Sequence, residues 1–243
     1  MKPLFYAVAF LTRIPVPLRF DSRDRVRSTA FYPLVGLLIG GLIGAFDGLI
    51  AAHFPPLVRA VLVTACWVFI TGGLHLDGLM DVFDGLGSHR EPERILAIMK
   101  DSRVGAMGAL AAMLILLLKV AALFSLTPSL ASSVTAASVS ARTAVLLAIA
   151  GWPYRREQGI ASGLREGLTP LRLGFALTSG MLLVFIAWGA GGLLCLAIGG
   201  VLVGAFGHSV ARRLGGLTGD VYGAMIEGVE TSTLLLLLWL AEH

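Results

Sequence analysis

Charged residues are scarce in this 243-residue sequence, where Asp, Glu, Lys and Arg together fill only 14% of the positions. Soluble domains contain about 25% of these residues, and the mean hydropathy here is +0.84. Cysteine is nearly absent too: Cys66 and Cys195 lie in separate apolar segments, without the spacing of a metal site or a disulfide framework. This composition excludes an ordinary soluble domain and predicts an integral membrane protein with two packing cysteines.

Lys and Arg are also missing from every second connection between the predicted membrane spans. A span needs about 20 apolar residues, and the candidates are 31–52, 57–76, 105–126, 131–151, 172–189, 192–210 and 221–240. Most of the 19 basic residues lie in the alternate connections, and basic connections stay in the cytoplasm. We therefore predict an all-α polytopic membrane bundle of about seven transmembrane helices with a cytoplasmic N-terminus.

No segment is polar enough to form a soluble domain, so residues 1–243 are predicted to be a single membrane domain. The first 30 residues lack a small-residue cleavage site, and Arg13 interrupts their apolar stretch. We expect them to be a cytoplasmic or interfacial segment rather than a cleaved signal. The polar connections 77–104 and 152–171 are both expected at the cytoplasmic face of a bacterial inner membrane, and the first of them carries an acidic motif.

That motif is "TGGLHLDGLMDVFDGLG", residues 71–87. Asp77, Asp81 and Asp84 are spaced i, i+4 and i+7, which places them on one face of a helix; we call them the acidic stripe. Three neighbouring carboxylates repel one another, and all-oxygen ligands suit Mg²⁺, which takes its remaining ligands from water and substrate phosphate. The alternative is a solvated loop. His75 lies off the stripe and is expected either to bind substrate or to make a structural hydrogen bond.

A cationic segment follows the acidic stripe. Lys100, Asp101, Ser102 and Arg103 precede the third predicted span, and a helix N-terminus adds free N–H groups and a favourable dipole for an anion. We predict that this segment binds a substrate anion. In the alternative interpretation, Lys100 and Arg103 only anchor the span and Asp101 is their counter-ion.

Other charges lie within or next to the predicted spans. Asp220, Glu227 and Glu230 share one helical face, and intramembrane carboxylates are candidates for a functional site, here a second metal position; the alternative is a helix start whose charges face water. Arg142 lies within a span and is expected to pair with a carboxylate or to bind substrate. Lys119 and Asp47 lie nearer the outer ends of their spans, where snorkelling explains them.

Carboxylates that hold a divalent metal beside a cationic segment suit the cleavage of a phosphoanhydride, because the metal neutralises charge that develops on the leaving phosphate. The sequence contains no Walker loop, kinase signature or Ser/His/Asp triad. The residues alone therefore predict a metal-dependent phosphotransferase at the cytoplasmic membrane face, and we expect no nucleic-acid partner.

Five segments in order, "FLTRIPVP" (10–17), "YPLVGLLIG" (32–40), the acidic motif, "ILAIMKDSRVGAMGA" (95–109) and "GGLTGDVYGAMIEGVE" (215–230), resemble the cobalamin synthase family of adenosylcobinamide-GDP ribazoletransferases. The resemblance implies a Mg²⁺-dependent membrane enzyme that joins α-ribazole, or its 5′-phosphate, to adenosylcobinamide-GDP and releases GMP, completing adenosylcobalamin. It also implies residue roles. The acidic stripe would bind Mg²⁺ and provide the catalytic carboxylates. Lys100 and Arg103 would hold the diphosphate, and Arg13 would contact substrate. A second metal position, or the orientation of the ribazole, would come from Asp220, Glu227 and Glu230.

Two rival interpretations stay open at this stage. A CDP-alcohol phosphatidyltransferase uses similar chemistry, but its pattern places an Ala-Arg pair soon after the first Asp-Gly, and here no arginine follows Asp77 until Arg90. A cation or corrinoid transporter needs carboxylates near mid-membrane that reach both sides. The sequence also leaves open whether the chain forms a homo-oligomer or associates with pathway partners.

Overall fold

A computed structural model describes residues 1–126, 129–156, 159 and 161–243. Their regular structure is helical: α1 (Lys2–Leu11), α2 (Ser22–Ser28), a 3₁₀ turn (Thr29–Phe31), α3 (Tyr32–Ile50), α4 (Pro56–Thr71), α5 (Leu74–Gly87), α6 (Pro92–Ile98), α7 (Ala106–Ser125), α8 (Leu130–Gly151), α9 (Leu164–Gly167), α10 (Pro170–Leu214) and α11 (Gly219–Glu242). Within these ranges one isolated bridge, Tyr154 to Leu217, is the sole β contact. The predicted all-α class is confirmed.

Five helical segments of the described residues are long and apolar enough to cross a membrane, or six if α4 and α5 count together as one bent span. Helix α10 has 45 residues, but Trp188 (φ −144°, ψ 18°) and Gly189 (φ 57°, ψ −142°) break its helical geometry. An unbroken helix of this length would measure about 68 Å, more than twice the ~30 Å hydrocarbon thickness. The break lies where one predicted span ends and the next begins. The count of seven and the orientation of the N-terminus stay predictions.

Helix α8 is the centre of the bundle, and small side chains allow its neighbours to approach it. Its residues are mostly Ala, Ser, Thr and Val, and 16 of its 22 residues are buried, in contact with α3, α10 and α11. A Cβ added to Gly36 of α3 would lie 2.7 Å from the carbonyl oxygen of Ser138 in α8. Close approach through glycine and other small residues is typical of helices that pack in lipid.

Two glycines turn the chain sharply before the acidic motif. Gly72 (φ 64°) and Gly73 (φ 68°) are both left-handed, a conformation that costs other residues energy because of their Cβ. Their N–H groups donate to carbonyls of the last turn of α4, so α4 ends and α5 starts at an angle of 89° to it. The second predicted span, 57–76, thus ends early, and the acidic stripe lies on a separate helix.

Two expectations for isolated charges are wrong. Lys119 is only 3% exposed: its ammonium lies 2.7 Å from Glu227, 2.5 Å from Glu230 and 4.6 Å from the centroid of the Trp67 ring. Asp47 is also buried and pairs with Arg59. Neither side chain snorkels to an interface, because counter-charges inside the bundle compensate both.

Candidate active site

Asp77 and Asp81 lie on α5 opposite the N-terminal turn of α11, where Asp220 is located. A Cβ added to Gly78 would lie 2.8 Å from the carbonyl oxygen of Asp220. A Cβ added to Gly223 would lie 3.1 Å from the carbonyl oxygen of His75. The two helices therefore approach each other through glycine at this level. As a result the charges of Asp77 and Asp220 act on Asp81, and that of Asp77 acts on Asp220.

Arg156 compensates part of this negative charge and was not singled out by the sequence. Its guanidinium lies 2.7 Å from the Asp220 carboxylate and donates to the carbonyl oxygen of Met99 at 3.4 Å. The segment before it is fixed to the α10–α11 connection, since the N–H of Arg155 donates to the Leu217 carbonyl. In the sequence, the pair Arg155 and Arg156 served only to predict on which side of the membrane the 152–171 connection lies. Residues 157, 158 and 160 of that connection lie outside the described residues.

Asp84, the third member of the acidic stripe, binds the backbone instead. Its carboxylate accepts the N–H of Gly105 at 2.7 Å and the N–H of Gly108 at 2.8 Å, at the start of α7. The first N–H groups of a helix have no partner within the helix, so Asp84 caps α7 from a different helix. A Cβ at Gly108 would lie 2.5 Å from this carboxylate, and glycine is what permits the contact.

Two open cavities adjoin the stripe, and each combines an aspartate with an arginine. The first, of about 510 Å³, is lined by Arg13, Asp77 and the Gly72–Gly73 turn; the backbone N–H of Arg13 donates to the Ile70 carbonyl at 2.7 Å. The second, of about 380 Å³, is lined by Asp84, Asp101 and Arg103. In both cavities a carboxylate and a guanidinium group therefore line the same space.

The cationic segment folds on itself in the structure. The Asp101 carboxylate accepts hydrogen bonds from the Arg103 backbone N–H at 3.1 Å and from its guanidinium at 2.6 Å. These bonds lower the pKa of Asp101 to about 2, so this side chain is ionised and paired at neutral pH. Lys100, Ser102 and Arg103 are exposed, and their binding of an anion stays a prediction.

Glu227 and Glu230 do not join Asp220, although the three share a helical face. They belong to a buried ion network with Lys119 and Arg142, in which Arg142 pairs with one oxygen of Glu230 and Lys119 with the other. The network contains two carboxylates and two cations, so its formal charge is balanced, as burial requires. His75 lies close enough for these charges to act on it, but it is only 3% exposed, and within the described part of the chain neither ring nitrogen has a hydrogen-bond partner.

Asp77 and Asp81 are the acidic residues of the motif with no side-chain hydrogen bond or ion pair to any described residue. No three His, Cys, Asp or Glu side chains among the described residues converge into a complete ligand set. Mg²⁺ does not need one, because one or two carboxylates plus water and substrate phosphates usually bind it. Asp77 and Asp81, with Asp220 opposite, fit this requirement.

The chain is similar to known proteins over nearly its whole length. The sequence model of a family described as cobalamin-5-phosphate synthase matches residues 3–238. The adenosylcobinamide-GDP ribazoletransferase of Brevibacillus brevis is 46% identical over 98% of both chains. The protein of the same name from Desulfitobacterium hafniense is 43% identical over 98% of this chain and 96% of its own, and that from Pseudomonas savastanoi pv. phaseolicola is 38% identical over 98% and 99%. No solved structure matches.

Proposed function

The chain belongs to the cobalamin-5-phosphate synthase family, and from this membership we propose that it transfers α-ribazole, or α-ribazole 5′-phosphate, to adenosylcobinamide-GDP. GMP is released, and adenosylcobalamin or its 5′-phosphate is formed. The observation that carries the proposal is the position of Asp77 and Asp81. The charges of Asp77 and Asp220 act on Asp81, and Asp77 borders an open cavity that also contains Arg13. The comparisons lend no support to a phosphatidyltransferase or to a transporter.

We assign Mg²⁺ binding to Asp77 and Asp81, and we assign the orientation of the ribazole to Asp220, which pairs with Arg156. Asp77 and Asp81 both offer carboxylate oxygens, the ligand type that this hard cation prefers, and neither forms an ion pair with a described residue. With the metal bound there, the charge that develops on the leaving phosphate would be neutralised. Glu227 and Glu230, which already pair with Lys119 and Arg142, hold the bundle together in this proposal.

The transfer forms one phosphorus–oxygen bond and breaks another. The oxygen of the ribose 3′-hydroxyl attacks the phosphorus that carries the cobinamide, and the bond from this phosphorus to the bridging oxygen of the diphosphate breaks. GMP leaves with that oxygen. The hydroxyl proton passes to the carboxylate of Asp77 or Asp81 and then to solvent. The chain contributes the proton acceptor and a fixed geometry, which is most of what phosphoryl transfer requires of a protein.

Guanidinium and ammonium groups on both sides of the stripe would bind the diphosphate. Arg13 lies at one end, in the cavity of Asp77, and Arg103 lies at the other, in the cavity of Asp84. Lys100 is exposed and precedes Arg103 in the same segment. Arg103 would exchange its partner Asp101 for a phosphate, and this exchange costs little because solvent screens an exposed ion pair. Because these segments are basic, we place the site at the cytoplasmic face of the bacterial inner membrane.

The test is turnover by the purified chain in liposomes. Adenosylcobinamide-GDP, α-ribazole and Mg²⁺ are supplied, and GMP and the cobalamin product are separated by chromatography. We expect equal amounts of both products, with loss of activity in EDTA that is restored by added Mg²⁺. An Asp81→Asn variant should insert normally and form no product. Product formation that persists in EDTA would refute the metal assignment, and absence of product from the wild-type chain would refute the function.

A further inference from the structure

A third cavity extends from the acidic site into the bundle. It has a volume of about 140 Å³, and its walls come from α1, α3, α5, α8, α9 and α11. Phe10, Leu74 and Asp77 line both this cavity and the 510 Å³ cavity that contains Arg13, so the two adjoin at Asp77. Asp220 lines it as well. This third cavity, which we call the inner cavity, therefore adjoins the place where the proposed reaction occurs.

The walls of the inner cavity are largely aromatic and aliphatic. Phe10 and Tyr32, whose rings stack at 6.5 Å between centroids, belong to them, and Tyr222, with its ring 6.3 Å from that of Tyr154, is a further aromatic wall residue. Val145 and Ile149 of α8 contribute aliphatic surface. Such a lining favours a flat apolar ligand, because aromatic pairs prefer offset or edge-to-face contacts with another ring.

His75 and Tyr32 are wall residues whose buried polar atoms have no hydrogen-bond partner among the described residues. His75 is 3% exposed, lines the inner cavity, and neither of its ring nitrogens makes a hydrogen bond with a described residue. A buried polar group without a partner costs about 1–3 kcal/mol, so its presence in a cavity wall indicates a ligand that supplies the missing bond. A single ring nitrogen on an otherwise apolar ligand would accept the hydrogen bond that the N–H of His75 can donate.

We propose that the inner cavity binds the aromatic base of the acceptor nucleoside, with its benzene half enclosed and its ribose directed toward Asp77 and Asp220. This inference rests on the proposed function. An apolar cavity of about 150 Å³ is known to bind benzene, which matches the volume found here. The dimethylbenzimidazole of ribazole presents an apolar edge and one unsubstituted ring nitrogen, which can accept a hydrogen bond from His75.

The guanine of the donor substrate suits this cavity less well. Guanine carries an amino group, a carbonyl and a ring N–H on its edges, and each of them needs a partner when it leaves water. The wall offers few polar side chains, and two of them, Asp77 and Asp220, are assigned to the metal and the ribose. The guanosine half of the donor therefore stays in the open cavities that contain Arg13 and Arg103.

The experiment fills the inner cavity and measures each substrate separately. Val145→Phe adds bulk to its wall, and Val145→Leu adds a single methylene in case the larger side chain prevents folding. The matched control is Val203→Phe, the same change in a separate apolar cavity of about 350 Å³. We measure KM and kcat for both substrates, and the equilibrium binding of α-ribazole to the detergent-solubilised full chain by calorimetry without the donor.

Because one methylene in an apolar pocket changes discrimination by about 10–200-fold, both Val145 variants should raise the KM and the dissociation constant for α-ribazole at least tenfold. The KM for adenosylcobinamide-GDP should stay within a factor of about two, and the Val203 control should change neither. An imidazole riboside, which lacks the benzene ring, should bind wild type and Val145→Phe equally.

Unchanged α-ribazole binding in folded Val145 variants, or an equal rise in both KM values, would overturn the assignment of the inner cavity. A wild-type chain that binds α-ribazole in a Val145-dependent manner but forms no product would support the inner cavity and overturn the proposed transfer. These two outcomes are therefore distinguishable.

Discussion

The carboxylate of Asp84 makes two hydrogen bonds across the bundle, and an Asp84→Ala variant would remove both at once. Its oxygens accept the N–H groups of Gly105 at 2.7 Å and Gly108 at 2.8 Å, and they place a negative charge at the positive end of the α7 dipole. If this is the role of Asp84, the variant should loosen α7 and the cationic segment before it, while the metal ligands on α5 stay in place.

The expected loss of stability follows from the burial of the two donors. Gly108 is buried and Gly105 is half-buried. Without the carboxylate, the Gly108 N–H has no access to water, which costs about 1–3 kcal/mol, whereas the Gly105 N–H can bind water. Loss of a helix cap costs about 0.5–2 kcal/mol in other proteins. We expect the free energy of unfolding to fall by about 2–4 kcal/mol in total, or roughly 5–15 °C in melting temperature for a chain of this length.

The assay pairs thermal unfolding in detergent, followed by tryptophan fluorescence, with a Mg²⁺ titration of turnover. Asp84→Ala should melt early and turn over slowly, but with the wild-type Mg²⁺ concentration at half-maximal rate. Asp81→Asn should melt normally and have lost the Mg²⁺-dependent rate. Asp101→Ala, which removes only an exposed partner of Arg103, controls for the loss of a neighbouring charge and should melt as wild type does.

The opposite result would refute this reasoning. An Asp84→Ala chain that melts at the wild-type temperature and needs about tenfold more Mg²⁺, the smallest effect common for a disturbed metal site, would make Asp84 a metal ligand, as the helical spacing first predicted.

Three further variants test the packing and the charges around the site. Gly78→Ala should lower kcat with little loss of expression, because its Cβ would lie 2.8 Å from a backbone oxygen of α11; Gly228→Ala, where a Cβ meets nothing within 4 Å, should be silent, and equal activity of the two would contradict the close approach. Glu230→Gln should lower the free energy of unfolding by about 3–5 kcal/mol, since it leaves the buried guanidinium of Arg142 without its ion pair; wild-type stability in denaturant would argue against the ion network. Arg103→Ala should raise the KM for adenosylcobinamide-GDP about tenfold, the effect of losing about 1.4 kcal/mol of binding, and leave that for α-ribazole unchanged; a rise in the ribazole KM alone would exclude Arg103 from the diphosphate site.

Composition and charge patterning predicted the helical membrane class because both are properties of consecutive residues in the sequence. The apolar segments and basic connections required no knowledge of the packing. The break at Trp188 and Gly189 is near the predicted junction for the same reason, since one helix of that length could not fit the bilayer. The 89° turn at Gly72 and Gly73 was not predicted, because a hydropathy window averages across two adjacent helices.

The site was predictable only as far as helical periodicity extends. Spacing of three, four and seven residues places side chains on one face of a helix, but neighbouring helices decide which partners that face meets. Asp84 meets the glycines at the start of α7, and Glu230 meets Lys119 and Arg142. Counting the charged residues inside the predicted spans would have predicted this ion network. Two carboxylates and two cations in an apolar interior are expected to pair with one another rather than to bind a metal.

The packing in turn explains which polar residues of the acidic motif are free for chemistry. Asp84 caps α7, and His75 lies beside the buried ion network and the inner cavity. Asp77 and Asp81 are the remaining two, and they have no side-chain partner among the described residues. Neighbouring carboxylates without partners repel each other, and a fold retains such a pair at a cost in stability unless a cation relieves it. For this reason our proposal assigns the metal to Asp77 and Asp81 rather than to Asp84.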